Sequence, residues 1–257
     1  MAEYVQLGDV RTWYDEYGRG EPLVLLHPGM ADARAFAPNV DPLAARFHVF
    51  TPERRGHGRT ADVDGPITYE LMAQDTIAFL ETVVGGPAHL VGCSDGATVA
   101  LLAALRRPDL TRRLVCAAGV FDRRGWVPGA ADPDETTAAV LEGAYAEVSP
   151  DGPAHYPIVA GKLAHMHAEE PTLTAPELAG VASRTLVMVA DDDEVTLEHA
   201  VAFYRALPHA ELAIVPGTSH GLLVEKPALC NTMIVDFLAA DPVPTIAPIR
   251  RAVPARG

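Results

Sequence analysis

A serine flanked by two glycines is the feature of this sequence that points most directly to chemistry. Ser94 lies in the stretch GCSDG, with Gly92 and Gly96 two residues away on either side. A serine hydroxyl is a poor nucleophile unless a neighbouring base removes its proton. A sharp turn between a strand and a helix exposes such a hydroxyl, and only very small flanking residues fit the crowded backbone of that turn. The spacing therefore predicts a nucleophile, although an ordinary glycine-rich loop could have the same composition.

An acid and a base that could serve Ser94 follow it in the chain. The apolar run TLVMVADDD ends in a cluster of carboxylates that includes Asp193, and the run ELAIVPGTSH leads to His220. Loops that follow the carboxyl ends of parallel strands meet at one edge of a sheet. We therefore expect these side chains to converge on Ser94 in the order nucleophile, acid, base.

The elements that would position these residues alternate between strand and helix patterns. The first 20 residues predict a β-hairpin, and the continuous apolar run at residues 23–26 is typical of a strand buried on both faces. TYELMAQDTIAFLETVVGG predicts a helix that Thr68 caps and that ends at Gly85. Further strands and helices alternate through RRLVCAAG and again from RTLVMVADDDE onward. This order predicts an α/β protein with a mostly parallel, doubly wound sheet.

The alternation is interrupted once, and the chain changes composition near its end. Residues 120–180 contain three helix-like stretches and no convincing strand, which predicts a helical insertion between core segments 1–119 and 181–241. Residues 242–257 are rich in proline and arginine, and we interpret them as a tail that is mobile or laid over the surface.

The composition argues against some classes of binding partner and indicates a cellular compartment. The chain has 257 residues and a formal net charge of −14, and such an acidic surface repels nucleic acid and anionic membranes. Its three cysteines are widely spaced, which argues against a disulfide framework and against a zinc site. No signal peptide or membrane span is evident in the sequence, so we expect a cytoplasmic protein, either a monomer or a homodimer.

The motifs HPG, RRGHGRT, GCSDG, ADDDEV and GTSH, in this order and spacing, resemble those of the α/β-hydrolase family. The resemblance covers nearly the whole chain up to about residue 240. It implies Ser94 as the nucleophile, Asp193 as the acid and His220 as the general base. It also implies that residues 120–180 form a helical cap, inserted after the sixth strand, over the active site.

The resemblance does not select a single residue as the acid that pairs with His220. The family pattern within ADDDEV favours Asp193, with Asp191 and Asp192 as alternatives. Some relatives carry the acid after the sixth strand, where this chain has Asp122.

The oxyanion hole needs two backbone N–H groups, and the resemblance implies which residues supply them. One is Asp95, directly after the nucleophile. The other comes from the loop after the third strand, where relatives often have His-Gly-x and this chain has HPG. Proline has no N–H, so Pro28 cannot donate. That leaves Gly29 at the usual donor position, with Met30 next.

Two acidic residues depart from the family pattern. Glu53 stands where relatives usually have aspartate, and we interpret it as structural. A carboxylate at position 95, beside the nucleophile, is unusual. Its side chain either favours a polar or cationic group on the substrate or simply stabilises the helix N-terminus.

Several large side chains are candidates for substrate contacts. These are Met30, Trp126, Tyr145, Tyr156 and Met166, although packing inside the cap is an alternative for most of them. His165 and His167 form the sequence HMH on a predicted helix, and residues two apart point to different faces, so we expect no metal pair there.

We therefore expect a serine hydrolase that cleaves a small, mainly apolar carboxylic ester or lactone through an acyl-enzyme, with no cofactor and no metal. Two alternatives use the same three residues, namely a carbon–carbon bond hydrolase of aromatic catabolism and a cofactor-free perhydrolase. A ligand-binding module with negligible turnover is an alternative of another class, and an interaction scaffold is a weaker one.

Overall fold

The protein is built around a seven-stranded sheet, seen here in a computed structural model that describes residues 2–130 and 135–249. The strands are β1 (Glu3–Leu7), β2 (Val10–Tyr14), β3 (Glu16–Gly18), β4 (Glu21–Leu26), β5 (Phe47–Phe50), β6 (Ala88–Cys93), β7 (Thr111–Ala117), β8 (Arg184–Ala190) and β9 (Ala210–Val215). β1 and β2 form a separate antiparallel pair. The other strands form one sheet in the order β3-β5-β4-β6-β7-β8-β9, in which only β3 runs antiparallel to its neighbour.

Helices cover both faces of this sheet. They are α1 (Ala37–Ala44), α2 (Tyr69–Phe79), α3 (Asp95–Arg106), α4 (Glu135–Val148), α5 (Tyr156–Glu169), α6 (Ala175–Leu178), α7 (Leu197–Ala206), α8 (Leu222–Glu225) and α9 (Pro227–Ala239). Buried apolar side chains of α2, α3 and α7 form one core layer, and those of α1, α8 and α9 form the other. The predicted α/β class and the mostly parallel, doubly wound sheet are confirmed.

The start of the chain differs from the prediction in one respect. β1 and β2 form the expected hairpin, with Leu7 opposite Val10. The second predicted strand, however, divides after Tyr14, and its last part becomes β3, which pairs with β5 instead. The helical segment therefore follows the seventh strand in chain order rather than the sixth.

The helix predicted from Thr68 onward forms as expected at its start. The Thr68 hydroxyl accepts a hydrogen bond from the backbone N–H of Leu71 at 3.1 Å, which caps α2. A wider π turn, Leu80–Val84, continues α2, and Gly85 then takes a left-handed conformation with φ of +75°. Such a conformation favours glycine and ends the helix.

The segment between β7 and β8, residues 120–180, contains α4, α5 and α6. Residues 131–134 of this predicted insertion lie outside the described residues. The Nζ atom of Lys162, on α5, donates to both carboxylate oxygens of Asp62 at 2.8 and 2.7 Å. This ion pair ties the segment to the loop that follows β5.

The last described residues, 242–249, have no helix or strand and are exposed. Residues 250–257 of the predicted tail lie outside the described residues. Within the part of the chain that is described, none of the helices is both long enough and apolar enough to cross a bilayer.

Candidate active site

Ser94 lies on a strained turn between β6 and α3. Its backbone φ is +54°, a value that residues other than glycine adopt only under local constraint. A Cβ atom added to Gly92 would lie 2.1 Å from the carbonyl oxygen of Gly96, and one added to Gly96 would lie 2.0 Å from that of Leu26. Both positions therefore require glycine, as the spacing predicts, and the close approach lets the serine project from the sheet edge.

Two hydrogen bonds join Ser94 to an imidazole and a carboxylate. The Ser94 hydroxyl lies 2.9 Å from Nε2 of His220, and Nδ1 of His220 lies 2.8 Å from Oδ1 of Asp193. Because a carboxylate can only accept, Nδ1 carries the proton, and the neutral ring then accepts the serine O–H at Nε2. This is the geometry in which an imidazole can take the proton of a serine hydroxyl.

Backbone groups hold the Asp193 carboxylate in place. Its side chain is fully buried, and it accepts hydrogen bonds from the N–H of Ala190 at 2.8 Å and of Val195 at 3.2 Å. The turn directly after β8 therefore presents this carboxylate, rather than its neighbours, to His220.

The other carboxylates considered for this role have different surroundings. Asp191 is exposed and accepts from the backbone N–H of Thr218 at 3.1 Å, and Asp192 is also exposed. Asp122, after β7, forms an ion pair with Arg124 at 2.7 Å. Of the four carboxylates, only Asp193 is hydrogen-bonded to His220 among the described residues.

The electrostatic surroundings favour the charged form of His220. Burial acts to lower its pKa, but the hydrogen bond and the charge of Asp193 outweigh burial, and the pKa is raised above the ordinary value of 6.5. An imidazole in this position is ready to accept a proton from the serine and to hold it.

A cavity of about 390 Å³ opens beside Ser94 and His220. Residues from both the sheet edge and the helical segment line it. They are Pro28, Gly29, Met30, Ser94, Asp95, Trp126, Gly129, Ala130, Thr137, Leu141, His167, Glu194 and His220. The cavity is large enough for a small organic molecule and brings such a molecule to the serine hydroxyl.

The two predicted oxyanion donors, Gly29 and Asp95, both line this cavity with Ser94. They are packed tightly, because a Cβ atom on Gly29 would lie 2.1 Å from Oδ2 of Asp95. The buried guanidinium of Arg54 holds the loop that carries Gly29, since it donates to the carbonyl oxygen of Pro28 at 3.0 Å and to that of His27. The next residue, Met30, takes φ of +54°, so the loop turns sharply at the cavity wall.

The side chain of Asp95 is bound within the protein. It is buried, and it accepts a hydrogen bond from the Tyr69 hydroxyl at 2.5 Å and contacts Nε2 of His167 at 2.9 Å. Burial acts to raise its pKa, but the charge and hydrogen bond of His167 outweigh burial and lower the pKa well below the ordinary value. The carboxylate is therefore ionised, and it is paired with residues of α2 and α5.

The predicted substrate contacts divide into two groups. Met30 and Trp126 line the cavity, and the Trp126 ring packs edge-on against the His220 ring, 5.7 Å between centroids. The rings of Tyr145 and Tyr156 instead pack against each other, with 5.4 Å between their centroids, and Met166 is buried in the core. These last three residues are absent from the cavity lining, because they pack with the apolar core layer of α2, α3 and α7.

His167 lines the cavity, a position that was not predicted from the sequence, where it was considered only as part of HMH. Val159, Leu163 and Met166 are buried on one face of α5, and His167, eight positions after Val159, continues that face, while His165 is exposed. Helical spacing at i, i+4, i+7 and i+8 could therefore have placed His167 inward. What the sequence alone does not reveal is that the ring meets Asp95.

Two other buried groups are structural. Glu53 accepts from the backbone N–H of Ala33 and forms an ion pair with Arg59 at 2.7 Å, and burial raises the pKa of Glu53 to about 7. Burial likewise raises the pKa of the Cys93 thiol to about 12, so this cysteine remains a neutral packing group. Among residues 2–130 and 135–249, there is no group of three or more His, Cys, Asp or Glu side chains arranged to hold a metal ion.

Comparisons with known proteins match this fold. The chain is 28% identical to a putative non-heme bromoperoxidase of Mycobacterium tuberculosis, over 88% of this chain and 97% of that protein. It is 31% identical to the (E)-2-((N-methylformamido)methylene)succinate hydrolase of Acinetobacter baylyi, but that match spans only 48% of this chain and 47% of the relative. The crystal structure of the enol-lactonase from Burkholderia xenovorans superposes with a TM-score of 0.75 at 21% identity, covering 93% of this chain and all of that one.

A sequence profile described as the alpha/beta hydrolase family matches residues 23–232, which include every strand from β6 to β9 and all three residues of the Ser94–His220–Asp193 hydrogen-bond chain. The match extends over most of the sequence, so the chain belongs to the alpha/beta hydrolase family.

Proposed function

We propose that the protein is a serine hydrolase that cleaves a small, mainly apolar carboxylic ester or lactone through an acyl-enzyme. The observation that carries this proposal is the pair of hydrogen bonds from Ser94 to His220 at 2.9 Å and from His220 to Asp193 at 2.8 Å, at the wall of a cavity. A serine so connected is activated for attack on a carbonyl carbon.

In the proposed reaction, Ser94 attacks the carbonyl carbon while Nε2 of His220 takes the hydroxyl proton. Asp193 keeps the ring in the required tautomer and stabilises its charged form. The backbone N–H groups of Gly29 and Asp95 stabilise the developing oxyanion. His220 then gives its proton to the leaving group, and a water molecule activated by the same ring releases the acid from Ser94.

The cavity supports the substrate class. Its walls include the apolar side chains of Met30, Trp126 and Leu141, and a volume of about 390 Å³ suits a small acyl or alkyl group. We further propose that residues 120–180 act as a cap, because Trp126, Leu141 and His167 of this segment form part of that wall. The chemistry assigned here requires neither a cofactor nor a metal.

The names of the relatives do not select one reaction. One is called a hydrolase of a substituted succinate, one a putative bromoperoxidase and one an enol-lactonase. The same three residues could serve carbon–carbon bond hydrolysis or perhydrolysis, so those activities are the outcomes against which esterase activity is tested.

The test is a substrate panel with wild-type protein and a Ser94→Ala variant. The panel contains p-nitrophenyl acetate, butyrate and octanoate, a set of lactones, a vinylogous diketone, and acetate with hydrogen peroxide. We expect turnover of short esters or lactones that Ser94→Ala abolishes. Ser183→Ala is the matched control. It alters a buried serine directly before β8 and should keep full activity.

Other results would redirect or remove the proposal. Turnover confined to the diketone would favour a carbon–carbon bond hydrolase, and turnover that requires peroxide would favour a perhydrolase. Tight ligand binding with no product from any substrate would favour a binding module. Equal ester turnover by wild type and Ser94→Ala would remove Ser94 from the mechanism.

A further inference from the structure

Three side chains from different parts of the chain, Asp95, Tyr69 and His167, are joined by hydrogen bonds beside the Ser94 turn, and the charge of buried Arg54 acts on Asp95. Asp95 begins α3, Tyr69 begins α2, His167 lies on α5 and Arg54 lies in the loop after β5. The Asp95 carboxylate contacts the Tyr69 hydroxyl at 2.5 Å and Nε2 of His167 at 2.9 and 3.1 Å. We call these four residues the Asp95 cluster.

The Asp95 cluster touches both proposed oxyanion donors. Asp95 supplies one donor from its own backbone, and its carboxylate lies against the Cα of Gly29, where a Cβ would come within 2.1 Å of Oδ2. Arg54 binds the carbonyl oxygen of Pro28, directly before Gly29, at 3.0 Å. A displacement of this carboxylate would therefore disturb the two amides together.

With His167 protonated, the charges in the Asp95 cluster do not cancel. Arg54 is a cation even though burial lowers its pKa to about 10, and Asp95 is ionised. A protonated His167 brings the sum to one net positive charge, which an oxyanion on the substrate would balance. With His167 neutral, the cluster has no net charge, and the Asp95 carboxylate directly opposes a negative oxygen beside it.

We propose that His167 is a positioning residue of the hydrolase, whose imidazolium holds and neutralises the Asp95 carboxylate and so keeps the oxyanion site receptive to negative charge. This inference rests on the proposed function. It assigns a role in acyl transfer to a residue of the helical segment that acts through Asp95. It also explains why a carboxylate beside the nucleophile is compatible with an anionic transition state.

The proposal predicts a pH dependence with two limbs. His220 must be neutral to accept the serine proton, so kcat/KM rises as pH increases through the pKa of His220, which lies above 6.5. Burial acts to lower the pKa of His167, but the charge and hydrogen bond of Asp95 raise it. His167 loses its proton as pH increases through that raised pKa, so kcat/KM then declines. The titratable and charged groups that face His167 are Asp95, Tyr69, Arg54 and His57.

The variants His167→Gln and Asp95→Asn/His167→Gln separate charge from packing. His167→Gln leaves the Asp95 carboxylate without its imidazolium, and we expect kcat to fall about 10- to 100-fold with little change in KM. The double variant has neither charge and keeps the Arg54 cation, so its kcat should be several-fold higher than that of His167→Gln, even though Asp95 also supplies an oxyanion amide. Both variants should lose the alkaline limb. His165→Gln, two residues away on the exposed face of α5, is the matched control and should behave as wild type.

A double variant as slow as His167→Gln, with both variants melting at the wild-type temperature, would overturn the proposal and leave His167 a packing residue. An alkaline limb that persists in His167→Gln would also overturn it.

A second measurement does not depend on turnover. NMR titration of the imidazole of His167 should give a pKa above 6.5 in wild-type protein and a lower pKa in Asp95→Asn. A value at or below 6.5 in wild type would overturn the inference while leaving the proposed function intact. Absence of both ester turnover and fluorophosphonate labelling at Ser94 would instead overturn the proposed function, and this inference with it.

Discussion

At the scale of single residues, the hydrogen bond from His220 to Asp193 decides which nitrogen faces Ser94. Nδ1 donates to the carboxylate at 2.8 Å, so Nε2 is left to accept from the serine at 2.9 Å. The carboxylate is fully buried and accepts two backbone N–H groups, which hold it in place. The orientation of the base therefore depends on one side chain.

Replacing Asp193 by asparagine tests that dependence. An amide can donate a proton to Nδ1 and so favour the tautomer whose Nε2 cannot accept from Ser94, and we expect kcat for ester hydrolysis to fall by about a thousandfold or more. Asp192→Asn alters the adjacent exposed carboxylate and should leave kcat unchanged. A large loss in Asp192→Asn or Asp122→Asn, with Asp193→Asn active, would move the acid to another position.

The sequence predicts part of this arrangement. Ser94 and His220 follow from motif and order, because each lies just past a predicted strand end. Asp193 could be named only with alternatives, since three aspartates follow one another and only the turn after β8 determines which one is buried. The contact between His167 and Asp95 joins residues 72 positions apart, and periodicity within one helix contains no information about such a contact.

At the scale of elements, the close approach of α3 to β4 places the serine turn at the sheet edge. A Cβ on Gly96 would meet the carbonyl oxygen of Leu26 at 2.0 Å, and backbone cannot move aside as a flexible side chain can. We expect Gly96→Ala to lower the free energy of unfolding by about 2 kcal/mol or more and to remove activity. Thermal unfolding and ester turnover would measure both effects.

The matched control is Gly143→Ala, on exposed α4, where an added Cβ meets nothing within 4 Å. Alanine favours a helix over glycine, so this variant should be as stable as wild type or slightly more stable. If Gly96→Ala were equally stable and active, the packing account of the turn would be wrong.

The ion pair between Lys162 and Asp62 holds α5, and with it His167, against the core. Asp62 also contacts Nε2 of His155 at 2.9 Å, so one buried carboxylate serves two side chains of the helical segment. We expect Asp62→Asn to lower the free energy of unfolding by about 1–2 kcal/mol. In Asp62→Asn, backbone hydrogen exchange should accelerate relative to wild type, and the acceleration should be larger in α5 than in α3. Asp64→Asn, at an exposed position in the same loop, should change neither quantity.

The same carboxylate gives this contribution a pH dependence. Burial acts to raise the pKa of Asp62, but its bonds to Lys162 and His155 lower it below the ordinary 3.8. A lowered folded-state pKa means that the stabilisation is present above pH 3.8 and is lost as pH falls through the folded value. Asp62→Asn and wild type should therefore converge in stability at strongly acidic pH, and a difference that persists there would contradict this assignment.

The strands and helices of the core were largely predictable, because continuous apolar runs and caps such as Thr68 are local signals. The division of the second strand was not, since β3 forms only by pairing with β5, some 30 residues away. The cavity at the site could not be predicted from the sequence either, because its walls combine the loops after β4, β6, β8 and β9 with α4 and α5.

At the scale of the whole molecule, a formal net charge of −14 acts on any charged substrate that approaches the cavity. Repulsion of anions weakens with salt, because the Debye length is about 10 Å at 0.1 M ionic strength. We expect kcat/KM for an anionic ester such as p-nitrophenyl hemisuccinate to rise as salt increases from low to moderate concentration. Neutral p-nitrophenyl acetate is the control and should show a flat response. A decrease for the anionic ester would indicate that a local positive potential at the cavity entrance outweighs the repulsion from the net negative charge of the protein.

The proposed acyl transfer depends above all on a covalent bond between Ser94 and the acyl group. Rapid mixing with p-nitrophenyl acetate, acid quenching and mass spectrometry of the digested protein test for that bond directly. We predict a burst of about one equivalent of p-nitrophenol and an acetyl group on the peptide that contains Ser94, with neither signal in Ser94→Ala. Turnover with no adduct, or an adduct on a different residue, would contradict the proposed mechanism.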